Sequence, residues 1–137
     1  MLQYEYLKIL CLANPDAVII GSIGTISYDL AKIDKEISHP KKILIRGAMG
    51  ATLGCGLGYA MAKPDKHIIV VIGEGSLLMQ MGSIATILKH NLSNLDIVII
   101  ANYQYSSCGG QSNDFASIEH MLDPHFEIFV PKLSPTS

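Results

Sequence analysis

An acidic residue between two glycines is the part of this chain most able to do chemistry. The run from His67 to Ile72 is apolar and β-branched, which predicts a buried strand, and Gly73-Glu74-Gly75-Ser76 follows it directly. The glycines leave room for a sharp turn and a close ligand, and Ser76 is predicted to cap the next helix. Free N–H groups at such a turn suit a phosphate, and a carboxylate beside a phosphate needs a divalent cation between them. The turn therefore predicts a metal-bridged diphosphate, with a plain link and a solvated Glu74 as the alternative.

A second polar strand end lies one crossover further along the chain. The run from Leu95 to Ala101 predicts another buried strand, and it ends at Asn102, one helix and one strand after Glu74. Adjacent strands of a parallel sheet put such ends at the same edge. Glu74 and Asn102 are therefore expected to supply two oxygens to one Mg²⁺, with the backbone carbonyl near Gln104 as a third.

The elements that must position these residues alternate between strands and helices. This alternation predicts an α/β fold with a three-layer, doubly wound parallel sheet, in one domain over residues 1–137. The helix after the acidic turn is expected to run from Ser76 to His90, and the polar loop from Tyr103 to Asn113 is long enough to fold over a ligand. The other predicted elements are helices at Leu2–Ala13, from Thr25 or Ser27 to Asp34, at Ala51–Ala62 and at Phe115–Leu122, and strands at Ala17–Ile20, Ile43–Ile45 and Phe126–Val130.

The predicted helix Ala51–Ala62 contains three internal glycines, Gly54, Gly56 and Gly58. Each glycine costs a helix roughly 1 kcal/mol relative to alanine. Close approach of another backbone is the expected compensation, and a poorly formed helix in the core is the alternative.

Composition argues against several classes of function. With 49% hydrophobic and 16% charged residues, the chain suits a sheet that is buried on both faces. A net charge of −2 gives no basic patch for nucleic acid, and no apolar run reaches the ~18 residues that span a bilayer. Three cysteines without a CxxC pair predict reduced thiols in a cytoplasmic protein. Cys108, near the predicted site, is an alternative nucleophile, but no His lies near it in sequence.

Several motifs, taken in order, resemble one enzyme family. They are Gly47-Ala48-Met49-Gly50, Gly56-Leu57-Gly58-Tyr59-Ala60, Lys63-Pro64-Asp65, the run from Gly73 to Ser83, Ala85-Thr86-Ile87, and the run from Asn102 through Ser107 to Gly109-Gly110-Gln111. Their order and spacing resemble the thiamine-diphosphate-dependent decarboxylases, in particular phosphonopyruvate decarboxylase and the β subunit of sulfopyruvate decarboxylase. The resemblance runs from about residue 21 to residue 111 and concerns the diphosphate-binding domain of that fold.

The resemblance implies thiamine diphosphate and Mg²⁺ as cofactors. The implied metal ligands are Glu74, Asn102 and the Gln104 carbonyl. The implied cofactor-binding residues are Gly47, Met49, Gly73, Gly75, Ser76, Leu77, Asn102 and Gln104. Among these, the family pattern puts the Gly75 and Ser76 amides on the diphosphate. It puts the Gly47 carbonyl and the Met49 amide on the aminopyrimidine, and the Met49 side chain against the bent cofactor.

The resemblance also implies a partner. Relatives begin the reaction with a glutamate from a pyrimidine-binding domain, and the segment before Gly21 is too short to be that domain. No catalytic residue is therefore expected in this chain. The expectation is a 2-oxo acid decarboxylase, acting on sulfopyruvate or phosphonopyruvate, in which a separate pyrimidine-domain subunit supplies the glutamate. Self-association into a dimer or a higher oligomer is expected as well.

Three departures from the family pattern keep a second interpretation open. Glu74 stands where the family uses Asp, Tyr28 stands where Arg is usual, and the resemblance leads us to expect a domain that is short at its C-terminus. These features favour a non-catalytic or truncated relative that binds a partner chain. A nucleotide-binding α/β domain is a third class, which is disfavoured because no Gly-Lys-Ser/Thr loop is present and the glycines of residues 54–58 lie inside a predicted helix.

Overall fold

A five-stranded parallel sheet forms the centre of the structure. The structure is a computed structural model that describes residues 1–39, 41–122 and 124–132. Its strands are β1 (Val18–Gly21), β2 (Lys42–Leu44), β3 (Ile68–Gly73), β4 (Leu95–Ile100), β5 (Gln104–Tyr105), β6 (Gln111–Ser112) and β7 (Glu127–Phe129). The main sheet has the order β2-β1-β3-β4-β7 with all neighbours parallel, and β5 and β6 form a separate antiparallel hairpin.

Helices cover both faces of the sheet. They are α1 (Gln3–Ala13), α2 (Thr25–Glu36), α3 (Ala51–Ala62), α4 (Glu74–Leu78), α5 (Met81–His90) and α6 (Glu119–Leu122), with short 3₁₀ turns at Ser106–Cys108 and Phe115–Ser117. One apolar core lies between the sheet and α1 and α2, and the other lies between the sheet and α3 to α6. This arrangement confirms the predicted three-layer α/β class.

Strand β3 is buried along almost its whole length and carries the acidic turn. Ile68, Val70 and Ile72 point into the core under α3 to α6, while Ile69 and Val71 point into the core under α1 and α2. None of these side chains is more than 2% exposed. Burying each such side chain contributes roughly 1.5–3 kcal/mol, so the strand end that holds the acidic turn is firmly fixed.

The strand order reverses between β1 and β3, and this reversal creates a crevice. Gly21 pairs with Val71, and Gly73 pairs with Ile100, so the turns after β1, β3 and β4 all open at the carboxyl edge of the sheet. Open α/β sheets bind ligands at such a reversal, outside the carboxyl ends of their strands. The fold therefore puts the predicted site residues where a ligand is expected.

The helix that follows β3 starts earlier than predicted. Its first residue is Glu74 and its N-cap is Gly73, so the prediction that Ser76 caps this helix is wrong. Gly73 has φ −72° and ψ 146°, a conformation that any residue adopts. In the described part of the chain no side chain caps α4, so the amides of its first turn have no side-chain acceptor.

The same helical segment is broken where one helix to His90 is predicted. Helix α4 ends at Leu78 and α5 starts at Met81, because Gln80 leaves the helical conformation with φ −133° and ψ 35°. Apolar side chains keep their helical spacing across the break. Periodicity alone therefore predicts a single helix here.

Other boundaries lie close to the prediction. Helix α3 spans Ala51–Ala62 as predicted, so the alternative of a poorly formed helix is wrong. Helix α2 follows Gly24, whose φ of +92° favours glycine, and this N-cap replaces the predicted Thr25 or Ser27. The predicted helix over 115–122 is instead a 3₁₀ turn followed by α6.

The three glycines of α3 do not share one explanation. A Cβ on Gly56 would lie 2.1 Å from Cγ2 of Val70, whereas nothing in the described structure lies within 4 Å of the Cβ positions of Gly54 and Gly58. Close approach therefore explains Gly56, but the neighbour is a strand side chain rather than a backbone. The contacts of the described residues do not explain the other two.

Two sequence-level expectations concern the chain as a whole. No helix among the described residues has both the length and the apolar character needed to cross a membrane. All three cysteines lie in the described part of the chain and none forms a disulfide, in agreement with the predicted free thiols.

Candidate functional site

Glu74 is a buried carboxylate at the carboxyl edge of the sheet. The residue is only 3% exposed, so the alternative of a solvated Glu74 is wrong. Its Oε1 accepts hydrogen bonds from the Gln104 backbone N–H at 3.2 Å and from Nδ2 of Asn113 at 3.0 Å. Among the described residues, its Oε2 accepts no hydrogen bond and no Lys, Arg or His forms an ion pair with it.

The hydrogen bonds of this carboxylate and its position in a helix offset much of the cost of its burial. The penalty for burying an ion is several kcal/mol. Hydrogen bonds to a charged group return about 1.5–3 kcal/mol each, and the position of Glu74 in the first turn of a helix adds about 0.3–1 kcal/mol. The other carboxylate oxygen, Oε2, accepts no hydrogen bond from the described residues and is available to a ligand in the cavity.

Asn102 lies beside Glu74 at the end of β4. Its Oδ1 accepts the same Gln104 N–H at 3.1 Å, and its Nδ2 donates to Oγ of Ser106 at 2.7 Å. One backbone N–H thus joins the carboxylate oxygen to the amide oxygen. The structure therefore brings the predicted pair together, as the adjacency of β3 and β4 requires.

The segment from Tyr103 to Asn113 folds into a hairpin next to the acidic turn. Strands β5 and β6 pair within it, and the Asn113 N–H donates to the Tyr103 carbonyl at 3.1 Å, which closes the base of the hairpin. The sequence predicts a loop here. The paired strands were not predicted, because two-residue strands leave no apolar alternation to detect.

Tyr103 fixes the start of this hairpin. It has φ +61°, a left-handed conformation that is uncommon for a residue with a side chain. Its hydroxyl donates to Oε2 of Glu119 at 2.8 Å. This hydrogen bond raises the pKa of Tyr103 to about 12, with further contributions from burial and from the charges of Glu119 and Glu74.

A cavity of about 150 Å³ opens between the turns that follow β1, β3 and β4. Most of the predicted site residues line it, namely Met49, Gly73, Glu74, Gly75, Ser76, Asn102 and Gln104. Gly47 and Leu77 do not line it, since Gly47 is exposed and the Leu77 side chain is fully buried in the core. Glu74 is the only carboxylate in the lining formed by the described residues, and no His, Lys or Arg lines the cavity there.

Gly75 lies directly under two side chains. A Cβ on Gly75 would lie 2.8 Å from Cε1 of Tyr105 and 3.5 Å from Cε of Met49. The first distance is too short for a real contact, so a residue with a side chain would displace the Tyr105 ring. Sequence reasoning singled out Met49 but missed the role of Tyr105, because this contact depends on how the hairpin folds back.

A larger cleft of about 390 Å³ lies at the opposite edge of the sheet. Its lining includes Asp96, His125 and Glu127, near the amino ends of β4 and β7. We favour the smaller cavity, because ligands of α/β sheets bind at the carboxyl ends of the strands. No group of three or more His, Cys, Asp or Glu side chains in the described ranges could hold a metal. A metal at Glu74 would therefore also need amide or carbonyl oxygens.

Comparison with known proteins identifies the class to which this fold and site belong. The sequence profile of the thiamine pyrophosphate enzyme, C-terminal TPP binding domain, matches residues 22–128. The chain therefore belongs to the thiamine pyrophosphate enzyme family, through its C-terminal, cofactor-binding domain. Membership of this family also argues against the nucleotide-binding alternative.

The similar curated proteins include decarboxylases. Sulfopyruvate decarboxylase subunit beta of Methanococcus maripaludis is 37% identical over 109 residues, which are 80% of this chain and 57% of that subunit. The same subunit of Methanocaldococcus jannaschii is 39% identical over 95 residues, 69% of this chain and 48% of that subunit. Phosphonopyruvate decarboxylase of Streptomyces hygroscopicus is 36% identical over 104 residues, 76% of this chain and 25% of that protein.

These matches confirm the resemblance read from the sequence. The chain spans about half the length of the β subunits that it matches and about a quarter of the phosphonopyruvate decarboxylase.

Proposed function

We propose that this chain is the diphosphate- and Mg²⁺-binding subunit of a thiamine-diphosphate-dependent 2-oxo acid decarboxylase of the sulfopyruvate or phosphonopyruvate type. Membership of the cofactor-binding family and the named activities of the relatives support this class of reaction. A separate pyrimidine-binding subunit completes the site, and the chain also associates with itself. Similarity to proteins that are themselves named as subunits supports the need for a partner.

The observation that carries the proposal is the convergence of Glu74 and Asn102. A carboxylate oxygen and an amide oxygen from two adjacent strand ends share one hydrogen-bond donor. The second carboxylate oxygen has no partner among the described residues, and the carboxylate is buried. Carboxylate, amide and carbonyl oxygens are the ligands that Mg²⁺ prefers, so the donor set fits this ion.

The acidic turn also fits the diphosphate end of the cofactor. The first-turn amides of α4 have no side-chain cap among the described residues, and residues 73–76 line the cavity. The amides of Gly75 and Ser76 would hold the diphosphate. Glu74, Asn102 and the Gln104 carbonyl would hold Mg²⁺.

Three further residues would contribute mainly through the backbone. Gly47 and Leu77 do not line the cavity, so their parts in cofactor binding are limited to the Gly47 carbonyl and the Leu77 amide. Met49 would contribute its amide and also its side chain, which reaches over Gly75. These assignments complete the set of cofactor contacts that we propose for this chain.

Thiamine diphosphate, when bound, supplies the carbon nucleophile and the electron sink for loss of CO₂ from a 2-oxo acid. The residues of this chain orient the cofactor and balance its charge. The Glu74 carboxylate balances part of the charge of the cation, and the amides of the first turn face the diphosphate. The glutamate that moves protons on the cofactor belongs to the partner subunit in this proposal.

One observation favours a second candidate, a non-catalytic relative that binds a partner chain. The Gln104 N–H, a hydrogen-bond donor, points at Oδ1 of Asn102, which is one of the oxygens that a cation would need. Mg²⁺ binds oxygens at about 2.0–2.1 Å and leaves no room for a donor beside them, so this N–H must leave Asn102 before the ion binds there. In the second candidate the N–H stays bound to Asn102, and Glu74 simply anchors the hairpin.

Titration with thiamine diphosphate, with and without Mg²⁺, separates the two candidates. The parent chain and the variant Glu74→Asp are each measured alone and mixed with a pyrimidine-domain chain encoded by a neighbouring reading frame. Thiamine monophosphate is the control ligand, because it lacks the second phosphate that a cation bridges. We expect parent binding to require Mg²⁺, to be weak for the isolated chain and to tighten strongly with the partner.

Three other outcomes would contradict all or part of the proposal. Mg²⁺-dependent binding by Glu74→Asp alone, with none by the parent, would support the non-catalytic relative. The absence of Mg²⁺-dependent binding by both chains would mean that the acidic turn is not a metal site. Tight binding by the isolated parent would argue against the split site.

A further inference from the structure

Asn113 joins the hairpin to the buried carboxylate through three hydrogen bonds. Its Nδ2 donates to Oε1 of Glu74 at 3.0 Å, and its Oδ1 accepts the Phe115 N–H at 3.1 Å. Its own backbone N–H donates to the Tyr103 carbonyl at 3.1 Å. A residue 39 positions away in the chain thus sets one of the two contacts of the Glu74 carboxylate.

The orientation of the Asn113 amide is fixed by the chemistry of its partners. A backbone N–H can only donate, so it must face the amide oxygen, and a carboxylate accepts, so it must face the amide nitrogen. Rotating the amide by 180° would put two oxygens against each other at Glu74 and two donors against each other at Phe115. The side chain therefore has one satisfactory orientation.

The position of Asn113 is set by the core rather than by the hairpin alone. Phe115, whose N–H binds the Asn113 side chain, is fully buried in the core under α3 to α6. The ring of Phe115, just after the end of the hairpin, lies 6.2 Å from the ring of Tyr103 at its start. The two ends of the hairpin are therefore close to each other at the core. The amide that reaches Glu74 is consequently held between a fixed residue and a closed hairpin.

We propose that Asn113 is a positioning residue that holds Glu74 in the orientation in which its carboxylate accepts a divalent cation. This inference rests on the proposed function. A glutamate side chain has one more rotatable bond than an aspartate, so a Glu in a metal site needs a contact that selects one rotamer. The Asn113 donor occupies Oε1 and leaves Oε2 available. Removing a residue that hydrogen-bonds to a metal ligand typically lowers the metal affinity by about 10–100-fold.

The variant Asn113→Ser isolates this role. A serine hydroxyl can still accept the Phe115 N–H, as Ser does in turns of this kind, but it is too short to reach Glu74. The control is Ser112→Ala, because Ser112 is the exposed neighbour in β6 and its side chain makes no hydrogen bond to the described residues. Both variants keep the backbone of the hairpin and the net charge of the chain.

The experiment uses Mg²⁺ alone as the probe and NMR of the full chain as the readout. In the parent, Mg²⁺ should shift the backbone amides of Glu74 and Gln104 and the side-chain amide of Asn113 with one common midpoint. In Asn113→Ser the midpoint should rise roughly tenfold, while Ser112→Ala keeps the midpoint of the parent. Combining Asn113→Ser with Glu74→Gln should weaken binding no further than Glu74→Gln alone.

The outcomes distinguish this inference from the proposed function. Shifts at Glu74 that reach the same midpoint in the parent and in Asn113→Ser would overturn the inference and leave the metal site intact. No Mg²⁺-dependent shift at Glu74 in the parent would overturn the inference, whereas the proposed function is decided separately by the titration with thiamine diphosphate and the partner chain. If Asn113→Ser does not fold, the test uses the parent chain alone. An Asn113 side-chain amide whose NMR signal does not shift at saturating Mg²⁺ would then contradict the proposed contact.

Discussion

Two strand-to-helix turns at the same edge of the sheet satisfy their polar groups in different ways. In the turn after β1, the Ser27 hydroxyl donates to the Ser22 carbonyl at 2.7 Å, and the Ser22 hydroxyl accepts the Gly73 N–H at 3.2 Å. In the turn after β3, the Glu74 carboxylate is reached by donors 30 and 39 positions further along the chain. The first turn is completed by Ser27 within it and by the backbone of the neighbouring strand β3, whereas the second depends on side-chain and backbone donors of a hairpin.

This difference separates a structural turn from a candidate site. Short hydroxyl groups can complete a turn within a few residues at little conformational cost. Ordering a hairpin around a buried carboxylate costs roughly 1–2 kcal/mol of backbone entropy per residue, so the second arrangement is the more expensive of the two. Chains hold such arrangements chiefly at sites where a ligand returns part of that cost.

The largest expected effect is the loss of a metal ligand from the second turn. Glu74→Ala and Asn102→Ala should each weaken Mg²⁺-dependent binding of thiamine diphosphate by more than about 100-fold, beyond the range seen for outer contacts. Calorimetric titration measures the affinity, and circular dichroism checks that each variant remains folded. Near-parental binding by either variant would remove that residue from the site.

A medium effect is expected at Gly75, where a methyl group would enter the space of the Tyr105 ring. Gly75→Ala should destabilise the chain by about 1–3 kcal/mol, the usual cost of overpacking. It should also weaken cofactor binding, because the first-turn amides shift with the ring. Gly82→Ala is the matched control, since nothing lies within 4 Å of its Cβ position in the described structure and alanine favours the helix α5. Urea unfolding curves that make the two variants equal in stability would contradict the close contact.

The smallest effect is expected in the first turn. Ser27→Ala removes the donor to the Ser22 carbonyl and should cost about 1–2 kcal/mol of unfolding free energy. Mg²⁺-dependent cofactor binding should stay within a factor of about two, because surface and structural changes away from a ligand leave its affinity nearly unchanged. A large loss of affinity in Ser27→Ala would show that the two turns are not separable in function.

The sequence predicted the sheet, its layers and the pairing of Glu74 with Asn102 because these depend on local periodicity and on strand order. It placed α3 at its observed boundaries despite the glycines. The sequence did not predict the break between α4 and α5, because buried residues on both sides of it, such as Leu77 and Ile84, keep helical spacing.

Long-range contacts were the part that sequence reasoning could not supply. The Asn113 side chain donates a hydrogen bond to Glu74, and no local pattern ties those two residues together. The contact of Tyr105 with Gly75 likewise exists only after the hairpin folds back. Family resemblance predicts the metal ligands that we propose, but it does not predict the residues that contact them.

The most direct test of the account is anomalous scattering from a crystal grown with Mn²⁺ and thiamine diphosphate. Our account predicts one strong peak at the acidic turn, within about 2.2 Å of a Glu74 carboxylate oxygen, of Asn102 Oδ1 and of the Gln104 carbonyl. The Gln104 N–H should then no longer donate to Oδ1 of Asn102. No peak at this position, with the Gln104 N–H still bound to Glu74 and Asn102, would contradict the claim that these residues form a metal site.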